Sequence, residues 1–206
     1  MISEYQKVFI LILFFLLVAS YVRMDLSSYL ITAKSLAENL KKAFTSFSLA
    51  NLVLAPGDPP DWGFVGQVYI LGLGYYDTRD NLSHYRTLDL HKFSYIIDVD
   101  QYSLALRFGF KNMLMHIGLY DTITGNLLYI DENSCTNIQN YATQGYKPLS
   151  VGPPLPNYIT QVQVPVLLVC PSQDGSLQEI TYTKLSGESY TKKYIPAILL
   201  IQLAYA

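Results

Sequence analysis

The chain has 206 residues, a formal net charge of −2 and only 15 % charged residues. This composition is typical of an ordered protein, because disordered chains combine low hydrophobicity with high net charge. A near-neutral chain without a basic tract has no electrostatic means of holding nucleic acid, so the sequence predicts no nucleic-acid partner.

The N-terminal residues 1–55 contain neither glycine nor proline, which favours one long helix. An uncharged apolar run near its start, together with its flanks, reaches about 20 residues and predicts a membrane-spanning segment. The predicted anchor residues are Val8, Phe9, Ile10, Leu11, Ile12, Leu13, Phe14, Phe15, Leu16, Leu17 and Val18. A secretory signal cleaved near Val18-Ala19-Ser20 is the alternative interpretation.

After Arg23 the apolar residues recur at spacings of three and four, which indicates an amphipathic helix. Its apolar positions are Leu26, Leu30, Ala33, Ala37, Leu40, Phe44 and Phe47. Such a face needs a partner, either the protein's own β-rich domain or the stems of neighbouring subunits. We therefore predict three parts: residues 1–22 as the transmembrane half of a stem helix, 23–50 as its amphipathic half, and 51–206 as a β-rich extracytoplasmic domain.

From Pro56-Gly57 onwards the pattern changes to short apolar stretches between turn residues. Strands are predicted at 65–73, 113–120, 161–169 and 194–206, a polar loop at 76–92, and a strand or short helix at 93–99. Residues 121–126 predict a hairpin turn. The fold class expected from this order is α+β, with a long transmembrane and amphipathic N-terminal helix packed on an antiparallel β-rich domain.

Residues 131–160 are rich in Asn, Gln, Gly and Pro, which predicts a long irregular segment. Long loops often carry binding function, so any specificity of the domain is expected there. Pro165 lies inside the next predicted strand, and it indicates an edge position or a bulge because proline has no backbone donor.

The sequence contains no HExxH, GxSxG or P-loop motif, so we expect a non-enzymatic protein without cofactor or metal. Cys135 and Cys170 lack the CxxC spacing of zinc sites. They can form a disulfide if the domain is exported, and two unrelated buried thiols are the alternative. Asn81-Leu82-Ser83 matches an N-glycosylation sequon, a triplet that also arises often by chance.

Three phrases carry a resemblance to a known family. They are residues 52–63 (LVLAPGDPPDWG), the Leu-Gly-Leu of 71–73 and the LDLHK of 88–92, all after an apolar helix. In these the chain resembles archaeal type IV pilin-like (pseudopilin-like) proteins, a mostly uncharacterised membrane-anchored family. The resemblance implies a role for Glu4 in pairing with a neighbouring subunit during assembly; an ordinary interfacial acid is the alternative.

The function expected from the resemblance is structural. It implies a membrane-anchored cell-surface protein, a subunit or accessory component of a type IV pilus-like filament. Its partners are then membrane lipid and like or related pilin subunits, and its location a single-pass membrane position with the β-rich domain outside the cell. A secreted or anchored binding module that recognises a glycan or a protein through residues 131–160 is the alternative.

Overall fold

A computed structural model describes residue 23 and residues 32–40, 45–65 and 68–206. The chain divides into two compact units, Met1–Phe44 and Thr45–Ala206. In the first unit, residue 23 and residues 32–40 are helical. The second unit holds the strands and all of the features described below.

Among its described residues, the second unit has four helical segments. They are α1 (residues 45–54), α2 (Trp62–Val65), α3 (Leu90–Ile96) and α4 (Gln101–Arg107). Aspartates define two of the starts: the Asp89 side chain accepts hydrogen bonds from the backbone of His91 and Lys92, and that of Asp100 from Ser103. A short acidic side chain at this position satisfies amide groups that have no partner within the helix.

The described residues also form twelve strands. They are β1 (Gly74–Asp77), β2 (Leu82–Asp89), β3 (Met113–Asp121), β4 (Tyr129–Asp131), β5 (Ser134–Gln139), β6 (Tyr146–Pro148), β7 (Ser150–Val151), β8 (Thr160–Pro171), β9 (Leu177–Gln178), β10 (Ile180–Thr183), β11 (Ser189–Lys192) and β12 (Ile195–Tyr205). One sheet has the order β1-β2-β8-β12-β3-β7, with β9 paired to β8, and the other β11-β10-β5-β4-β6. Both are mixed, because β2 pairs with β8 and β10 with β5 in parallel.

Strand β12 is the centre of the larger sheet. It pairs antiparallel with β8 on one side and with β3 on the other over nine residues each. Eight of its eleven residues are buried, and it carries no charge. A strand covered on both faces reads as a continuous apolar run, which explains why residues 194–206 predicted a buried strand. That prediction is confirmed.

Three buried leucines join the two sheets. The amide of Leu119 donates to the carbonyl of Leu149, the amide of Leu149 to Leu128, and the amide of Leu128 to Leu119, at 2.7–2.9 Å. All three side chains are fully buried. The closed set of hydrogen bonds holds the ends of β4 and β6 against β3, and it pairs the amide and the carbonyl of each of the three leucines where the chain passes between the sheets.

The predicted fold class is wrong. The structure is mostly β, and the helical segments among the residues it describes are short. In α1 only the short face of Leu49, Ala50 and Val53 is buried in the core. Phe47, which was predicted on the buried face, is 63 % exposed. The core thus selects a different side of the helix from the one that the apolar spacing indicated.

The predicted single-pass membrane location is also corrected. No helix in the described ranges is long and apolar enough to cross a membrane, so the transmembrane and membrane assignments are not supported. The predicted anchor residues Val8–Val18, the assembly residue Glu4 and the alternative cleavage site at residues 18–20 lie outside the described residues.

Candidate functional site

A groove of about 730 Å³ lies where the two sheets meet. Its walls come from β3, β4, β6 and β7, from the turn after α3 and from the loop of residues 152–154. A concave site of this size, formed by apolar surface with a few polar groups, is the usual form of a ligand-binding site.

The apolar part of the groove is built around two tyrosines, Tyr120 of β3 and Tyr129 of β4. Leu127, Pro148, Pro153 and Pro154 extend it. Alternate residues of a strand share one face, which places His116, Gly118 and Tyr120 together on β3. A side chain on Gly118 would lie 3.0 Å from the Tyr120 ring and 3.1 Å from Nε2 of His116. Glycine at this position therefore lets the two rings approach across it.

The charged part of the groove is the ion pair of Asp98 and Lys147, whose nearest atoms are 3.0 Å apart. The hydrogen bond that Lys147 donates to the carboxylate of Asp98 raises the pKa of Lys147, so this amine is a cation at neutral pH. The two side chains are 73 % and 40 % exposed. An exposed ion pair contributes little to stability. Asp98 and Lys147 can therefore give up their contact with each other for contacts with a ligand at a small cost in free energy.

His116 is buried in the wall of the groove with one ring nitrogen in use. Its Nδ1 lies 3.1 Å from the carbonyl oxygens of both Val151 and Gly152. Carbonyl oxygens only accept, so Nδ1 carries the proton and Nε2 keeps a lone pair. Nε2 is buried without a hydrogen-bond partner in the described structure. Burial lowers the pKa of His116, against the opposing effect of the two carbonyls, and so favours the neutral ring.

The loop at the groove's edge is held by Gln101, the first residue of α4. Its side-chain amide donates to the carbonyl oxygen of Pro153 at 2.7 Å and reaches that of Val151 at 3.4 Å. Gly152 lies beneath this side chain with a positive φ of 64°. A Cβ there would come within 2.7 Å of Cδ of Gln101, so both conformation and space require glycine.

A second cluster lies away from the groove. Cys135 of β5 and Cys170 of β8 form a disulfide with their Cα atoms 5.7 Å apart. Nε2 of His91, in α3, lies 3.3 Å from the sulfur of Cys135 and 3.9 Å from that of Cys170. The three potential metal-ligand atoms lie within 4.8 Å of one another. The sequence predicted neither a metal nor a role for His91.

The sequon residue Asn81 lies in the turn between β1 and β2. It is exposed, has a left-handed backbone with φ of 54°, and accepts a hydrogen bond from the Tyr76 hydroxyl at 3.3 Å. Asparagine adopts this conformation more readily than most residues, which explains its place in the turn without any modification. Glycosylation of Asn81 stays a prediction.

Sequence reasoning missed the residues of the groove that precede position 131. The sequence predicts His116 and Tyr120 in a strand, and no pattern links them or Tyr129 to a ligand site. The alternation of His116, Gly118 and Tyr120 was the available signal. By contrast, the segment 131–160 does supply one wall of the groove, through Lys147, Pro148, Ser150 and residues 152–154.

Comparison of the chain with models of protein families, with curated proteins and with solved structures found no match. The resemblance to archaeal pilin-like proteins therefore stays a prediction. The interpretation of the groove rests on its own geometry.

Proposed function

We propose that this protein is a non-enzymatic binding module that takes a glycan in the groove between its two sheets. The observation that carries the proposal is the pairing of Tyr120 and Tyr129 with an exposed Asp98–Lys147 pair in one concave site. A pyranose ring has apolar C–H faces and a rim of hydroxyl groups. It therefore matches a site with aromatic walls and exchangeable polar groups at the edge.

Hydroxyl groups both donate and accept, and the groove offers partners of both kinds. The carboxylate of Asp98 accepts, the ammonium of Lys147 donates, and the Ser150 hydroxyl does either. Aromatic side chains contribute large contact area at low entropic cost, because they have only two rotatable bonds. Tyr120 and Tyr129 are accordingly expected to supply most of the binding energy, and the polar groups the orientation.

Binding rather than catalysis is proposed because the imidazole of the groove activates no nucleophile in this geometry. The Nδ1 proton of His116 is used by the backbone carbonyls of Val151 and Gly152. Its Nε2 contacts no hydroxyl or thiol among the described residues. A general base must lie within hydrogen-bond reach of the proton that it removes.

The test is calorimetric titration of the purified chain with oligosaccharides of chitin, mannan and cellulose. For the best ligand, Tyr129→Ala is expected to weaken binding by more than about tenfold, or about 1.4 kcal/mol. Lys147→Met removes the charge at the edge and is expected to weaken it less. Tyr85→Ala, at an exposed tyrosine of β2 outside the groove, is the matched control and should bind normally.

Two results of the oligosaccharide titrations would contradict the proposal. One is the absence of binding to every oligosaccharide while the chain is folded by circular dichroism. The other is unchanged affinity in both groove variants, which would place the ligand elsewhere. Binding of a protein partner that Tyr129→Ala abolishes would keep the groove as a site and reject the glycan as its ligand.

The role in a pilus-like assembly stays a separate prediction. It rests on the phrase of residues 52–63 and its companions, in which two residues have structural roles in this domain. The indole of Trp62 donates to the carbonyl of Gly72 at 2.9 Å, and the ammonium group of Lys92 donates to the carbonyls of Pro56 and Gly74. Electron microscopy of native filaments is the measurement that tests it.

A further inference from the structure

Three ligand atoms from distant parts of the chain converge in the second unit, away from the groove. Nε2 of His91 and the sulfurs of Cys135 and Cys170 come from α3, β5 and β8, and all lie within 4.8 Å of one another. We propose that reduction of the Cys135–Cys170 disulfide converts this cluster into a zinc site. His91, Cys135 and Cys170 would then be its three protein ligands.

The donor set matches the preference of Zn²⁺, which binds thiolate sulfur at about 2.3 Å and imidazole nitrogen at about 2.0–2.1 Å. In a tetrahedral centre with those bond lengths, a sulfur and a nitrogen ligand lie roughly 3.5 Å apart. The two nitrogen–sulfur distances, 3.3 and 3.9 Å, already bracket this separation. Only the two sulfurs have to move apart, which follows from breaking the bond between them.

The imidazole is held in place by the fold rather than by the sulfurs alone. The ring of His91 packs against that of Phe64, with centroids 5.0 Å apart. Its backbone amide donates to the Asp89 side chain at 2.9 Å, at the first turn of α3. Cys170 is fixed in β8 by pairing with Gln178 of β9. Positions fixed in this way keep the ligands together after reduction.

A fourth ligand position is available on the open side of the cluster. A polar cavity of about 340 Å³ lies against His91 and Cys135, and Asp131, Glu132 and Ser134 are among its other lining residues. We assign the fourth position to a water molecule in this cavity. Three protein ligands and one solvent ligand make an open zinc site rather than a closed structural one.

Reduction of the disulfide and binding of Zn²⁺ balance in atoms, electrons and charge. A dithiol reductant transfers two electrons and two protons to the disulfide, which leaves two cysteine thiols and the oxidised reductant as its own disulfide. Binding of Zn²⁺ releases the two thiol protons, and two thiolates neutralise the charge of the ion. A neutral centre suits a site where Cys135 and Cys170 are both buried. Oxidation by a disulfide-class oxidant reverses the sequence and releases the metal.

The experiment uses the full chain, reduced with a phosphine and kept without oxygen, and titrates it with Co²⁺ as a spectroscopic substitute for Zn²⁺. The expected result is one Co²⁺ per chain, with thiolate charge-transfer absorption and the visible bands of a four-coordinate ion, all removed by Zn²⁺. The oxidised chain should show none of these. His91→Gln is expected to weaken Co²⁺ binding by more than about tenfold.

The matched control is His84→Gln. His84 lies in β2, where its ring packs against Tyr75 at 5.3 Å and takes no part in the cluster. This variant should bind Co²⁺ as the native chain does. Equal binding by the oxidised and reduced chains, or by His91→Gln and the native chain, would overturn the proposal.

A second measurement on the native sequence does not depend on the folding of a variant. The reduced chain is treated with iodoacetamide, with and without Zn²⁺, and alkylation of Cys135 and Cys170 is followed by mass spectrometry. Zn²⁺ is expected to slow both reactions by more than about tenfold. An unchanged rate at either cysteine would overturn the proposal, whatever the behaviour of the glycan groove.

Discussion

The ammonium group of Lys92 donates to the carbonyl oxygen of Pro56 at 2.6 Å, across 36 positions of sequence. The same group donates to Gly74 at 2.9 Å and to Pro60. Lys92 is only 1 % exposed. Three backbone carbonyls thus take the three protons of one buried cation, and α3 is tied to both ends of the turn that follows α1.

Replacing Lys92 by a neutral residue should lower the stability of the fold. We expect Lys92→Met to lower the free energy of unfolding by about 3 kcal/mol, because three buried carbonyls lose their charged donor. Urea titration followed by the fluorescence of Trp62, the single tryptophan, measures the change. Lys193→Met, at an exposed lysine, should stay within about 0.5 kcal/mol of the native chain. Equal losses in the two variants would contradict the assigned role.

The second prediction concerns Gly74 at the start of β1. A Cβ there would overlap the carbonyl oxygen of Leu54, a backbone atom that cannot move without disturbing α1. We expect Gly74→Ala to destabilise the chain by about 3 kcal/mol or more. In Gly118→Ala the nearest atoms are the movable ring of Tyr120 and His116, at 3.0 and 3.1 Å, so a smaller loss is expected. Thermal unfolding of the two variants provides the comparison, and the reverse order would refute this explanation.

The third prediction is a pH dependence from His116. Burial lowers its pKa in the folded chain below the ordinary imidazole value near 6.5. The unfolded chain therefore takes up the proton first as the pH falls, so the stability contributed by the neutral ring is complete above about pH 6.5 and declines below it. Urea titrations at a series of pH values measure this decline.

A variant separates this contribution from those of other titrating groups. His116→Gln should show a shallower loss of stability below pH 6.5, since it has no imidazole to protonate. If His116→Gln retains the full native pH dependence, the ring is not the group responsible.

The fourth prediction concerns the disulfide. Cys135 and Cys170 are 35 positions apart. Closing a loop of that length stabilises a chain by about 4 kcal/mol through the entropy of its unfolded state. Reduction in the presence of a chelator should lower the free energy of unfolding by roughly that amount. The double variant Cys135→Ser/Cys170→Ser should show the loss without reductant and no further change with it.

Sequence patterns predicted the strands best where a single local feature, such as an uncharged run or an alternation of residues, determines the strand. The uncharged run of β12 and the alternation of β8 were predicted close to their true bounds, and the turn at 121–126 is present, with Asp121 and Asn126 joined at 2.8 Å. Pro165 lies where β8 pairs only with β12, before its pairing with β2 begins at Leu167. The predicted edge position is therefore confirmed at this residue.

The predicted architecture is wrong where the pairing of strands depends on residues that are distant in sequence. The strand after the 121–126 turn leaves β3 after a single bridge between Tyr120 and Leu127 and joins the second sheet instead. Residues 76–92 are mostly polar, which predicts a loop, yet residues 82–89 form β2. The first five residues of this strand are exposed. No local periodicity encodes the parallel pairing of β2 with β8 or of β5 with β10.

The candidate sites show the same limit. His91 and the two cysteines are separated by 44 and 79 positions, and no spacing motif links them. Trp62 and Lys92 belong to two of the phrases that carry the family resemblance, but only the structure shows their hydrogen bonds to the carbonyls of residues 72 and 56. The aromatic walls of the groove belong to two different sheets, so only the junction at Leu119, Leu128 and Leu149 brings them together.

The position of β12 also has a consequence for folding of the chain during translation. This segment follows β3 and β8 in the chain but is inserted between them, so those two strands have no direct hydrogen bonds to each other. In a nascent chain that still lacks residues 195–205, β3 and β8 each have a long, mostly apolar edge without a partner strand. We expect such an intermediate to depend on chaperones, and assembly of the larger sheet to be slow, because most of its pairings span large sequence separations.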